Sequence, residues 1–323
     1  MSERVPFETL HRTLASILEG EGFSAERALE CARFFAEASR DGVASHGLNR
    51  FPRFVKNVRD GLVDPAAEPR RISGEGALER WDGMRGPGVL NASVAMARAI
   101  TLAREFGIGC VALRNTNHWM RAGAYGCQAA DAGLVGICWT NTLANLPPWG
   151  ADRPLVGNNP LVIAVPKEDG HVVLDMAMSQ FSYGALDGYA RRGQKLPVPG
   201  GFDGEGHLSD DPAAILESGR PLPTGYWKGS GLALLLDLVA AALSGGLATH
   251  EIAPDFDLET ALSQVFIAAV PARAGVTAEA TAMLESEGIR YPGARAAADR
   301  EESLRSGVAV DPEVWATVQA LRS

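Results

Sequence analysis

The segment Ser45-His46-Gly47-Leu48-Asn49-Arg50-Phe51-Pro52-Arg53-Phe54 concentrates groups that could handle a proton and an anion. An imidazole such as that of His46 gives or takes a proton near neutral pH. Arg50 offers a planar fork that binds a carboxylate bidentately. Phe51, Phe54, Val55 and Val58 recur at helical spacing, as on one buried face. At about 100° per residue, Asn49, Arg50 and Arg53 fall on the side nearest His46. Pro52 is tolerated only in a first helical turn. The helix therefore starts near Leu48, with His46 at or just before its N-terminus. The positive end of a helix favours a neutral imidazole. The same residues also read as a capping Ser45, a solvated Arg50 and a satisfied surface histidine.

Other segments carry similar chemistry more thinly. Arg114 to Gly123 places Asn, His118 and Arg after an apolar strand, where α/β sites form. The Asn, Gly and Pro residues of Trp139–Thr142, Pro147–Gly150 and Gly157–Pro160 read most simply as turn chemistry. Asp175 ends an apolar strand and could accept from a ribose hydroxyl or cap a helix. Tyr226 to Gly231 stands before an apolar helix, where Gly-rich backbone and Lys228 suit phosphate. Ser230 could equally be a plain N-cap.

These residues need elements to hold them. Periodicity predicts helices from Phe7 to Leu18, from Ser24 to Ser39 and from Leu48 to about Val58. An α/β body follows, with helices over 90–106 and 124–132 and strands over 108–113, 134–139, 161–165, 172–174 and 265–270. The run 231–243 reads as a buried helix. Pro197 to Pro212 reads as a long loop, and a last helix opens at Asp311-Pro312. Net charge is −9, which argues against nucleic acid or an anionic membrane as partner. The run from Leu232 to Leu243 is too short for a bilayer. Cys31, Cys110, Cys127 and Cys138 form no C-x-x-C pair and sit in apolar runs. A reduced, soluble, cytoplasmic protein is the expectation.

Standard motifs do not match in context. Gly20 to Ala25 and Gly107 to Ala112 fit G-x-G-x-x-A, but neither leaves a strand to open a helix. There is no Walker A, H-E-x-x-H or G-x-S-x-G sequence, and no metal-spaced cluster among the six His. No metal site is expected.

Taken in order, Gly42–Phe54, Arg114–Gly123, Pro147–Gly150, Gly157–Pro160, Leu174–Gly184 and Tyr226–Gly231 resemble the type 2 malate/L-lactate dehydrogenase family. The likeness runs to Asp311–Trp315 and is weakest between about Thr249 and Asp299. It implies an α/β, non-Rossmann fold: a mixed sheet with helices, plus a helical domain built from both chain termini. Residues 1–75 with 300–323 would form the helical part, and 76–299 the cofactor- and substrate-binding part. The implied activity is NAD(P)H-dependent reduction of a 2-keto acid, 2,3-diketo-L-gulonate in first place. Malate- or lactate-type acids, ureidoglycolate and cyclic ketimines stay open, as does a non-catalytic nucleotide-binding protein. The resemblance makes His46 the proton donor, with Ser45, Arg50 and His118 lining the substrate pocket. It assigns the cofactor to His171, Val172, Val173, Leu174, Asp175, Met176 and Ala177, to Trp227 and Lys228, and to Gly293, Ala294 and Arg295. Ala294 departs from the family pattern, where a polar residue stands. NADH is the expected cofactor, with NADPH as the alternative and Arg295 as a candidate reader of its extra phosphate. A homodimer with sites near the interface is implied.

Overall fold

The computed structural model describes residues 3–273 and 275–322. In chain order the elements are β1 (Glu3–Val5), α1 (Phe7–Gly20), α2 (Ala25–Arg40), α3 (Phe51–Arg59), β2 (Arg70–Glu75), β3 (Leu78–Asp82), α4 (Gly88–Phe106), β4 (Ile108–Thr116), α5 (Gly123–Asp131), β5 (Val135–Thr140), β6 (Leu161–Val165) and β7 (Val172–Met176). There follow α6 (Tyr183–Arg191), β8 (Gly201–Phe202), β9 (Leu208–Ser209), α7 (Pro212–Ser218), α8 (Trp227–Ser244), β10 (Leu262–Ala269), α9 (Val276–Ser286), α10 (Ala294–Ser306), β11 (Val308–Val310) and α11 (Pro312–Ala320). Short 3-10 turns cover Ala44–His46, Leu48–Arg50 and Phe256–Leu258.

Seven strands form the central sheet in the order β2-β3-β4-β10-β5-β6-β7. Only β3 and β4 pair in parallel; the other neighbours run antiparallel. A Rossmann sheet is mostly parallel, so the misplaced glycine motifs and the topology agree. Successive side chains of a strand point to opposite faces, and both faces here are covered. Val111, Leu113, Cys138 and Phe266 join the core with α1 to α5. Ala112, Trp139 and Val265 pack with Leu236 and Ala240 of α8.

The opening helices form as their spacing dictates. Ser24 caps α2, its side chain accepting from Arg27 N. Phe51 and Phe54 of α3 pack on Phe35 of α2, ring centroids 5.2 and 5.0 Å apart. The chain ends meet where β1 pairs antiparallel with β11, Glu3 opposite Val310. The boundary expected at 75/76 falls in the β2–β3 hairpin, and the one at 299/300 falls inside α10.

Three expectations need correction. The helix read over 231–243 begins at Trp227, because Tyr226 turns the chain at φ +60°. Ser230 is consequently inside the helix, where its hydroxyl accepts from Trp149 N at 3.0 Å. Nor is the helix buried all round: Leu232, Leu234, Leu235, Leu238 and Val239 are exposed. At 18 residues it is also long and apolar enough to cross a membrane by length and composition. Its other face nonetheless packs on the sheet, where buried Asp237 accepts from Asn141 Nδ2 at 2.9 Å and Thr249 N at 2.9 Å. Third, 197–212 is no plain loop. It carries β8 and β9 and leads into α7, which shares a small core of Leu186, Leu196 and Ile215 with α6.

Candidate active site

His46 is placed by a tight crossing of backbone. Ser39 Oγ donates to Phe35 O at 3.0 Å and accepts from Leu48 N at 2.8 Å. A Cβ at Gly47 would stand 2.2 Å from that hydroxyl oxygen, so the crossing requires glycine. His118 is held from the opposite side by the loop between β4 and α5. Asn115 and Met120 in that loop take φ of +51° and +59°, a region costly for residues other than glycine. Buried Asn117 repays this by tying the loop to its surroundings. Its Nδ2 donates to Arg85 O at 2.9 Å and Gly86 O at 3.0 Å, and its Oδ1 accepts from Thr260 at 2.8 Å.

The two imidazoles stack, ring centroids 5.7 Å apart and 18° from parallel. Met120 N donates to His118 Nδ1 at 3.0 Å, so neutral His118 carries its proton on Nε2. Ser45 Oγ lies 3.2 Å from His46 Nδ1. Burial, then the charges of Arg50 and Arg121, push the His46 pKa down to about 4. Burial also holds His118 well below the ordinary histidine value, helped by Arg50 and His46.

Arg50 is half-buried. Burial, and then Arg53 beside it, lower its pKa. Among the described residues no carboxylate lies within ion-pair distance of its guanidinium, and no hydrogen bond engages it. Arg53, by contrast, reaches Asp257 at 3.5 Å. Glu259 closes this wall. It is buried, accepts from Leu143 N at 3.2 Å, and its pKa is raised by burial against the pull of that N–H, Arg50 and Arg53. Tyr183 donates to Asn145 O at 2.8 Å, and a side chain at Gly184 would collide with Ser45. Two imidazoles, a guanidinium and a buried carboxylate thus stand close together.

A cavity of about 1200 Å³ opens beside β7, the edge strand of the sheet. His171, Val173 and Gly293 line it. His171 Nε2 lies 2.8 Å from Asp131, and its Nδ1 accepts from Lys167 N at 3.2 Å. Gly293, at φ +99°, lets the backbone approach β7, since a Cβ there would meet His171 O at 3.0 Å. A large cavity beside an edge strand, walled by guanidiniums, suits an extended, phosphate-bearing ligand.

Val172, Leu174, Asp175 and Met176 lie on β7 with Val173, and Ala177 follows them; the remaining cofactor candidates lie elsewhere. Asp175 Oδ2 accepts from Gly123 N at 2.7 Å at the start of α5. Trp227, 66% exposed, and Lys228 stand at the start of α8 and do not line the cavity. Neither do Ala294 and Arg295; the latter is exposed and pairs with Asp299 at 3.6 Å. Among the described residues no cluster of metal-ligating side chains occurs. Sequence reasoning missed Glu259, which lies in the segment of weakest resemblance, and Asn117 as the anchor of His118. Spacing carried no signal for either, because their partners are distant in the chain.

Comparison with known proteins decides the class. The family model described as malate/L-lactate dehydrogenase matches residues 5–319. The chain belongs to the malate/L-lactate dehydrogenase family. It is 45% identical to the 2,3-diketo-L-gulonate reductase of Citrobacter koseri, over 98% of this chain and 100% of that protein. Among solved structures, delta1-piperideine-2-carboxylate reductase from Pseudomonas syringae superposes with a TM-score of 0.88 at 31% identity, covering 99% of both chains. A dehydrogenase from Sinorhizobium meliloti superposes with a TM-score of 0.88 at 28% identity, covering 100% of this chain and 99% of that one. This member of the malate/L-lactate dehydrogenase family is an oxidoreductase with the α/β, non-Rossmann fold expected, and its family implies a nicotinamide cofactor.

Proposed function

We propose that the protein reduces a 2-keto acid, 2,3-diketo-L-gulonate to 3-dehydro-L-gulonate in first place, using NADH. The observation that carries this is Arg50: a half-buried guanidinium that forms no ion pair among the described residues, beside two desolvated imidazoles. A buried cation left unpaired is costly, and a substrate carboxylate would relieve it. The substrate assignment rests on relatives named for that reduction at 45% identity.

A bound dihydronicotinamide supplies the hydride to the ketone carbon. The chain provides the rest. Arg50 grips the carboxylate and fixes the keto group in the pocket. His46 donates the proton that turns the developing alkoxide into a hydroxyl. His118, with Nδ1 occupied by Met120 N, offers Nε2–H to a substrate oxygen. In the free protein His46 is neutral near pH 7. The arriving carboxylate offsets the charge of Arg50, which favours the imidazolium the reaction needs. His171 and Gly293 would hold the dinucleotide along β7, and NADPH remains the alternative cofactor.

A second reading, reduction of a cyclic ketimine, is favoured by the 31% likeness to the piperideine-carboxylate enzyme. A panel of 2-keto acids and cyclic imines, run with NADH and NADPH and followed at the reduced-nicotinamide absorbance band, separates the two. The highest kcat/KM is expected with 2,3-diketo-L-gulonate and NADH. Turnover of imines alone would overturn the first reading.

The bare face of α8 fits a homodimer, in which a second copy covers Leu232, Leu235 and Val239 and brings Trp227 and Lys228 to the interface. Sedimentation as a monomer at micromolar concentration would refute it. The four free cysteines fit a reducing cytoplasm.

A further inference from the structure

Asp41 takes no part in the chemistry above, yet it is the most heavily paired carboxylate beside the cavity. It sits just past α2, where the C-terminal end of the helix already presents negative charge, and it is 1% exposed. Three guanidiniums converge on it. Arg40 donates from Nε to Oδ1 at 2.7 Å. Arg300 donates from Nε to Oδ1 at 3.0 Å and from Nη2 to Oδ2 at 2.7 Å. Arg121 donates from Nη1 to Oδ2. They come from α2, from α10 and from the loop that carries His118.

One guanidinium neutralises one carboxylate; three overshoot. Glu37 offsets part of the excess, meeting Arg33 at 3.0 Å and Arg40 at 3.6 Å. Four arginines against two carboxylates leave two surplus positive charges, in a chain whose net charge is −9. All six side chains line the cavity that His171, Val173 and Gly293 also line. Arg121 lies near enough to His46 for its charge to disfavour the imidazolium. The cluster thus lines the cavity and, through Arg121, comes near the histidine pair.

We propose that Asp41 is a positioning residue: its clamp aims Arg121 and Arg300 into the cavity as the subsite for the diphosphate of the dinucleotide. This rests on the reading that the cavity takes that cofactor. A diphosphate diester carries two negative charges, matching the surplus. Arginine forks bind phosphate oxygens bidentately when their orientation is fixed. Arg121 spends only Nη1 on Asp41, and Arg300 keeps Nη1 uncommitted to it. Fixing a guanidinium beforehand removes the ordering cost from the binding step.

The test measures dissociation constants by calorimetry for NADH, NADPH and ADP-ribose. The variants are Arg300→Gln, Arg121→Gln and Asp41→Asn. The Arg300 side chain is 43% exposed and leaves two arginines on Asp41, so its replacement should not unfold the protein; a melting curve without ligand checks this. Loss of a charge-assisted bond should weaken NADH and ADP-ribose alike by about tenfold or more. Asp41→Asn adds positive charge, so simple attraction predicts tighter binding; a positioning role predicts weaker binding. Should Asp41→Asn fail to fold, the two arginine variants decide. Wild-type constants in every folded variant overturn the clamp and leave it a structural tie. Losses confined to NADPH overturn the diphosphate assignment in favour of a ribose phosphate. A wild-type protein that binds none of the three ligands overturns the dinucleotide reading itself.

Discussion

Beside His46 the guanidinium of Arg50 forms no ion pair among the described residues; around Asp41 guanidiniums are paired three to one. Arg50 is half-buried and, among the described residues, forms no ion pair, and burial and neighbouring cations hold His46 and His118 below the ordinary histidine range. Asp41 is buried more deeply, and its guanidinium partners keep its carboxyl far below the usual range. The first arrangement is costly until an anion arrives. The second is satisfied at rest and holds its arginines still. Catalytic groups must change charge or partner during turnover, so their environment is left incomplete. Groups that only hold position are completed in advance.

The largest expected effect breaks this contrast at its centre. His46→Ala removes the proposed proton donor, and kcat for reduction should fall by about 10²–10⁴-fold. Near-normal turnover would remove His46 from the mechanism. Next comes Arg50→Gln, which takes away the unpaired cation. Loss of a charge-assisted carboxylate contact should lower kcat/KM by about 10–100-fold, chiefly through KM. An unchanged KM would show that the carboxylate binds elsewhere. The smallest effect concerns pH. A proton donor works only when protonated, so reductive kcat/KM should fall as pH rises above the His46 pKa, which lies at about 4 in the free protein. Arg50 disfavours the imidazolium, so Arg50→Gln should shift this descending limb to higher pH. A profile that stays flat from about pH 5 to about pH 8 in both proteins would contradict proton donation by His46.

Much of the fold was legible. α1 ends at Gly20 and α2 begins after Ser24, as those residues signal, and Pro52 marks the first turn of α3. The β6–β7 hairpin follows from two short apolar runs around Pro166 to Gly170. Less legible were α6, α7, α9 and α10, whose helical faces are weakly apolar, and the bare side of α8, since periodicity cannot say what a second surface covers. Asp175 illustrates the limit. Its place at a strand end suited a ribose or a helix start equally, and only the fold brought Gly123 N to its carboxylate.

Local order along the chain dictated which residue types stand together: Ser45 beside His46, Arg50 one helical turn on, and Asn117 before His118. Those are short-range matters of spacing, and the covalent chain enforces them. What only folding settled is which distant groups meet. His46 and His118, 72 positions apart, stack because α2 and the β4–α5 loop pack on one core. Asp41 and Arg300, 259 positions apart, pair because α10 folds back against α2. Charge balance at a site is a sum over such neighbours, and no local pattern contains it.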